Sequence, residues 1–248
     1  MHRIKLTVAY DGTNYCGWQV QPNGVSIQST LQKAIENLLG EKTDVTGASR
    51  TDSGVHALGQ GGGFLTQTKI FLTGNMPWPL ISVFQRILWC RNPRKCLWIF
   101  IPAIRMWRKH MNTGFLIGGL SCRKERLYSY FVPKKLNVDK MREAGVYLVG
   151  EHDFKSFCSQ KTKALSTVRT IYSLELIEEG DIVTLRVSGN GFLYNMVRII
   201  AGVLIKVGLE QKEPEEVREA VEHPMRKAAG PTAPAHGLTL VEIKYLSN

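Results

Sequence analysis

The sequence predicts an α+β protein in which helices pack on antiparallel sheets, and three observations carry that prediction. Residues 4–9 and 238–245 alternate apolar and polar side chains, the period of a half-buried strand. Residues 26–39 and 192–207 instead repeat apolar side chains at helical spacing. Between these regions, residues 167–178 and 181–188 form two alternating runs joined by Glu179-Gly180, a hairpin signal that favours antiparallel pairing.

Taken in order, the strand over 4–9 runs into a loop marked by Asp11-Gly12 and Asn14. Tyr15 and Trp18 follow, either as core anchors at a strand-to-loop junction or as aromatic faces for a base. Ser26 is placed to cap the next helix, Ile27, Leu31, Ala34, Ile35 and Leu38 form its apolar stripe, and Gly40 ends it. Residues 42–46 are short and β-prone, and they lead into a turn rich in glycine. After a long irregular stretch, order returns as a strand-like run at 127–133 that ends at Pro133. A helix is expected over 138–148, stopped by Gly150 and followed by Glu151-His-Asp-Phe-Lys-Ser-Phe157. In the helix expected over 192–207, Phe192, Met196, Ile199, Ile200, Val203 and Leu204 lie on the buried side, and Gly208 ends it. Pro214, among Glu213, Glu215 and Glu216, opens a further helix to about Glu222.

A chain of 248 residues is long enough for one large domain or two small ones. Its five cysteines, odd in number and without paired spacing, together with the lack of a secretory signal, fit a reducing compartment, and a cytoplasmic location is expected. No apolar run reaches the roughly 20 residues of a transmembrane helix. The net charge of +11 suits a polyanionic partner, but it is unevenly spread. Between Ser53 and Lys124 lie ten of the 32 Lys and Arg and none of the 21 Asp and Glu, so the rest of the chain is almost neutral. Four of the five Trp fall in that stretch, and residues 61–126 show neither a helical period nor a clean alternation. This pattern suggests a segment translated out of frame, beginning near Gly61 and ending near Glu125; reading the coding DNA in the other two frames tests it. Cys90, Cys96, His110 and Cys122 do not have the tight spacing of a zinc site, and no metal is expected.

The chemistry-bearing stretch is 47–60, where Asp52 stands between Arg50 and His56 among Gly47, Gly54 and Gly59. A nearby Arg50 would favour the ionised carboxylate, and an ionised, positioned Asp can act as nucleophile or base. The same residues also suit a plain surface turn in which Asp52 caps a helix or pairs with Arg50. His152 and Asp153 are catalytic by type, with capping and packing as the alternative. Arg198 interrupts an apolar stripe, where a guanidinium must either meet an anion or snorkel to solvent.

The run Ser49-Arg-Thr-Asp-Ser-Gly-Val-His-Ala57 resembles the Gly-Arg-Thr-Asp-Ala-Gly-Val-His-Ala signature of the bacterial tRNA pseudouridine synthase A family. Three further stretches are similar to that family in the same order: Val8-Ala-Tyr-Asp-Gly-Thr-Asn-Tyr-Cys-Gly-Trp-Gln19, Phe192-Leu-Tyr-Asn-Met-Val-Arg-Ile-Ile-Ala-Gly202 and Ala229-Gly-Pro-Thr-Ala-Pro-Ala-His-Gly-Leu238. The likeness covers about 1–60 and 127–248. It implies two similar domains, an N-terminal one over 1–126 carrying Asp52 and a C-terminal one over 127–248, with an active-site cleft between them. It further implies a homodimer acting on tRNA, converting uridine to pseudouridine in the anticodon stem-loop without a cofactor. By the same resemblance Asp52 is catalytic, and Arg50, His56, Arg198 and Leu238 contact the substrate or line its cleft, with Arg198 pairing with Asp52. The family's Lys-x-Tyr-x-Tyr motif has no counterpart in the irregular stretch, and the context of Tyr128 and Tyr130 assigns them to a later segment. That loss predicts a poorly folded or inactive first half, and a catalytically inactive RNA-binding relative is the alternative reading. In that relative the basic segment would supply the affinity.

Overall fold

A computed structural model describes residues 2–67, 106–117, 126–159, 164–225 and 230–245. By its internal contacts the chain divides into two compact units, Met1–Trp107 with Leu240–Asn248, and Arg108–Thr239. Most of the last strand, from Leu240 on, thus belongs with the first unit.

In the first unit β1 (His2–Tyr10) pairs antiparallel with β3 (His56–Thr66) from His2↔Thr66 to Tyr10↔Ala57. The short β2 (Thr46–Gly47) pairs with Gly63 and Gly62 of β3, and β9 (Leu238–Tyr245) is also bonded to β3. Since β1 occupies one edge of β3 along its length, β2 and β9 lie on the other. Ile4, Leu6, Val8, Phe64 and the helix residues Ile27, Leu31, Ala34 and Ile35 are buried. Helix α1 (Ile27–Leu39) begins and ends as its sequence predicts: Ser26 accepts from the Ser29 N–H at 3.1 Å, and Gly40 closes the helix with φ +69°. Two glutamines tie it to the following segment, Gln28 donating to the Val45 carbonyl and Gln32 to the Thr43 carbonyl.

The glycines at 61–63 sit in the middle of a continuous strand. Gly62 pairs with Gly47, and the buried Trp18 ring covers the pair, so that a Cβ on Gly47 would lie 2.1 Å from Trp18 Nε1. On Gly61 a Cβ would meet the Tyr245 hydroxyl. The irregular pattern from Gly61 is therefore corrected at its start: Gly61 must be small because the Tyr245 ring occupies its side-chain space, and all three glycines belong to a regular strand. Residues 68–105 and 118–125, most of the proposed out-of-frame segment, lie outside the described residues, and with them Cys90, Cys96 and Cys122. Residues 106–117 are described and form a long strand.

That strand, β4 (Met106–Ile117), pairs antiparallel with β8 (Ile182–Gly189), which pairs with β7 (Val168–Glu179), which in turn pairs with β6 (Gly150–Asp153). The three-residue β5 (Tyr130–Val132) runs parallel to β4. The hairpin of β7 and β8 turns at Gly180, as expected. Helix α2 (Val138–Val146) packs on β7 and on α3 (Met196–Gly208), with Gly145 against Leu174 and Gly208 against Met141. Helix α4 (Pro214–Glu222) follows within its predicted limits.

Two expectations are corrected. Helix α3 starts at Met196 rather than at 192, because Asn195 adopts φ +60°, a left-handed geometry that no preceding helical turn can enter. Phe192 is accordingly half-buried, while Met196, Ile199, Ile200, Val203 and Leu204 are buried. Residues 150–153 form an edge strand where the sequence predicts none, since Val168–Ile171 of a distant strand supplies their hydrogen bonds. The observed architecture is α+β, and no helix among the described residues is long and apolar enough to cross a membrane.

Candidate active site

Asp52 is carried by a turn whose backbone is held on both sides. Before it, Ala48 N–H donates to the Gly61 carbonyl at 2.8 Å, and the buried Gln60 side chain donates to the Ser49 carbonyl at 2.6 Å. Strand β3 thus grips the start of the loop that leads into the acid. Thr51 is then fixed at two points: its carbonyl accepts from Trp18 N–H at 3.1 Å, and its hydroxyl shares a 2.7 Å hydrogen bond with the Tyr10 hydroxyl. Beyond the acid, Val55 N–H donates to the Asp52 carbonyl at 3.2 Å, closing a tight turn. Gly54 N–H and Ser53 Oγ both donate to the Tyr15 carbonyl, at 3.3 and 3.2 Å.

The loop over residues 11–18 can approach this closely only because it is cut to fit. Gly17, at φ +97°, would place a Cβ 2.6 Å from the Thr51 carbonyl oxygen, so neither its backbone angle nor its surroundings admit a side chain. Trp18 is 2 % exposed and Tyr10 4 %, so both are core anchors, and the base-stacking alternative for Trp18 is corrected. Burial pushes the Tyr10 phenol well above the ordinary tyrosine range, only partly opposed by the bond to Thr51. The hydroxyl is therefore protonated at any working pH. Against this fixed backbone Asp52 itself is half-buried, so the acid stands on a rigid stem without being sealed in the core. Such an arrangement suits attack on, or proton removal from, a bound substrate.

The other sequence-predicted residues divide between the two units. Arg50 is exposed beside the turn. His56 is buried at the start of β3, and its Nδ1 accepts from Gly12 N–H at 3.1 Å. Asp11 Oδ1 lies 3.2 Å from the same Nδ1 and is an ion-pair partner only for the protonated ring. In the second unit Arg198 is half-buried and anchored within that unit, its Nε donating to the Ala233 carbonyl and its Nη1 to Asn195 Oδ1, both at 2.8 Å. Leu238 is buried at the start of β9. His152 and Asp153 have local roles, the His152 ring bonding to the Val149 carbonyl at 3.0 Å and Asp153 accepting from Lys155 N–H at 3.1 Å. Tyr128 lies in the turn before β5 and is 44 % exposed. Tyr10, Thr51 and Gln60 escape a reading of sequence alone. Gln60 lies at the edge of the motif, but the bond from Tyr10 to Thr51 spans 41 positions and leaves no local signal.

Known proteins add to this geometry. The profile of a family described as tRNA pseudouridine synthase matches residues 6–80 and 144–246, which takes in Arg50, Asp52, His56, Arg198 and Leu238. Among curated relatives, the tRNA pseudouridine synthase A of Caldicellulosiruptor bescii is 40% identical over 247 residues, covering 99% of this chain and all of that one. The proteins of the same name from Clostridium acetobutylicum and Ruminiclostridium cellulolyticum are each 42% identical, over 250 and 246 residues, with 99% of this chain and all of theirs covered. The likeness therefore does not stop at residue 60: the profile reaches residue 80, and the relatives align through the irregular stretch as well. They give no support to an inactive RNA-binding relative. On the strength of these matches, which take in both units and the turn that bears Asp52, the chain belongs to the tRNA pseudouridine synthase family.

Proposed function

We propose that this protein converts uridine to pseudouridine in tRNA, at the anticodon stem-loop, with Asp52 as the catalytic residue. The reaction breaks the bond from N1 to the ribose C1′, turns the uracil and rejoins it to C1′ through C5. The C5 hydrogen leaves as a proton and N1 gains one, so the product is an isomer and no donor group or redox partner is consumed. Asp52 acts as nucleophile or base at the sugar or the ring.

Around it, Arg50 holds the displaced nucleotide, since a base inside a stacked stem must leave the stack to be reached. Arg198, His56 and Leu238 are assigned to substrate binding. The anchoring of Arg198 supports that role, because a guanidinium already fixed at Nε and Nη1 has little freedom left to lose when an anion arrives. We further propose a cytoplasmic homodimer in which one tRNA spans both subunits, working without metal or cofactor.

The observation that carries the reading is the immobilised Thr51–Asp52 peptide with a half-buried carboxylate, in a chain whose relatives are tRNA pseudouridine synthases. The test is tritium release from tRNA labelled at uridine C5. Wild type is expected to release tritium to water and Asp52→Asn to release none, with tRNA affinity retained. Equal release by both would remove Asp52 from the chemistry.

A further inference from the structure

We infer that Tyr10 is a positioning residue for the reaction, its buried hydroxyl fixing, through Thr51, the peptide from which Asp52 reaches the substrate. This rests on the reading of Asp52 as the catalytic residue. An aspartate carboxylate is separated from its backbone by a single methylene group, so the position of the peptide largely decides where the carboxylate stands. That peptide begins at Thr51, which is 7 % exposed and is held by the Tyr10 hydroxyl at 2.7 Å and by Trp18 N–H at 3.1 Å. The second bond is backbone to backbone and persists in any side-chain variant. Tyr10 supplies the one side-chain bond of the pair, from the far end of β1, across 41 residues of chain.

Tyr10 is 4 % exposed and therefore acts through Thr51 rather than on substrate. Its ring also packs beside Trp18, with centroids 6.2 Å apart. A purely structural role would reside in that ring, whereas a positioning role resides in the hydroxyl, and Tyr10→Phe separates the two. A misplacement of about 1 Å can cost on the order of a hundredfold in rate, so a partial release of Thr51 is expected to be visible in kcat.

The experiment compares Tyr10→Phe, Thr51→Val, their double variant, Thr51→Ser and Asp52→Asn by C5-tritium release. Each is assayed well below its own melting temperature, determined in parallel. Tyr10→Phe and Thr51→Val are each expected to lose about tenfold or more in kcat, with KM changed by less than about twofold, because a transition-state interaction and not substrate binding is lost. The double variant should be no worse than the poorer single one, since both remove the same bond. Thr51→Ser, which keeps the hydroxyl, should retain most of the rate. Wild-type kcat in a folded Tyr10→Phe or Thr51→Val, a loss confined to KM, or additive losses in the double variant would each overturn the inference. If Asp52→Asn turns over like wild type, the reading of Asp52 falls, and the positioning role falls with it. An inactive Asp52→Asn beside a fully active Tyr10→Phe overturns the positioning role alone.

Discussion

Gly47 and Gly62 face each other across β2 and β3, and both lie under the Trp18 ring, yet they differ in how close the ring comes. A Cβ on Gly47 would fall 2.1 Å from Nε1, whereas one on Gly62 would have its nearest neighbours at 3.5–3.7 Å, an ordinary contact. Because Trp18 is 2 % exposed, its ring is packed on all sides and has little room to move away from a new methyl group. Gly47→Ala is therefore expected to cost about 1–3 kcal/mol, and Gly62→Ala much less. Chemical denaturation of the two variants checks this, and equal losses would mean that the ring yields. At this scale the sequence exposes Asp52 clearly, since an acid flanked by Arg50, His56 and three glycines stands out in any window. What holds the acid is hidden. Tyr10 and Trp18 bond to Thr51, far away along the chain, and no spacing rule reaches that distance.

Elements whose ends are set by their own side chains are the ones the sequence foretells. Ser26 and Gly40 bound α1, Pro214 opens α4, and Gly180 turns the hairpin, each within the segment it terminates. Elements defined by distant partners are misread: β6 exists because β7 pairs with it, and α3 loses its expected first turn to the left-handed Asn195. The first turn of α4 also offers a pH test. Glu216 accepts from Glu213 N–H at 2.9 Å and from Lys212 Nζ at 3.0 Å; the backbone bond first, then the lysine, hold its carboxyl below the ordinary range. A depressed folded pKa contributes stability above the unfolded value of about 4.3, and that contribution is lost as pH falls through the folded value. Since the side chain is 46% exposed, screening keeps the effect below about 1 kcal/mol. Glu216→Gln should lower the melting temperature slightly at neutral pH and leave it unchanged in strong acid. A difference that persists in acid would assign the effect to packing instead.

On the scale of the whole molecule, the charge of +11 rests almost wholly on the acid-free stretch between Ser53 and Lys124. A tRNA bound through these basic residues would release counterions, so the logarithm of its affinity should fall linearly with the logarithm of salt concentration, by about 0.7–0.9 per phosphate neutralised. Filter binding across a salt series measures the slope, and Asp52→Asn should share it with wild type. A flat response would mean that the basic stretch does not touch the nucleic acid.

The return of β9 to β3 has a further consequence, in the order in which the protein is made. Strand β3 and the turn bearing Asp52 are synthesised early, but the strand from Leu238 to Tyr245 that borders β3 leaves the ribosome only after the whole second unit. Until then the part of that edge of β3 not covered by β2 is open, and closing it requires contact across most of the chain, which is slow. A nascent or truncated chain lacking residues 238–245 would carry every residue of the Asp52 turn yet lack a neighbour of its supporting strand.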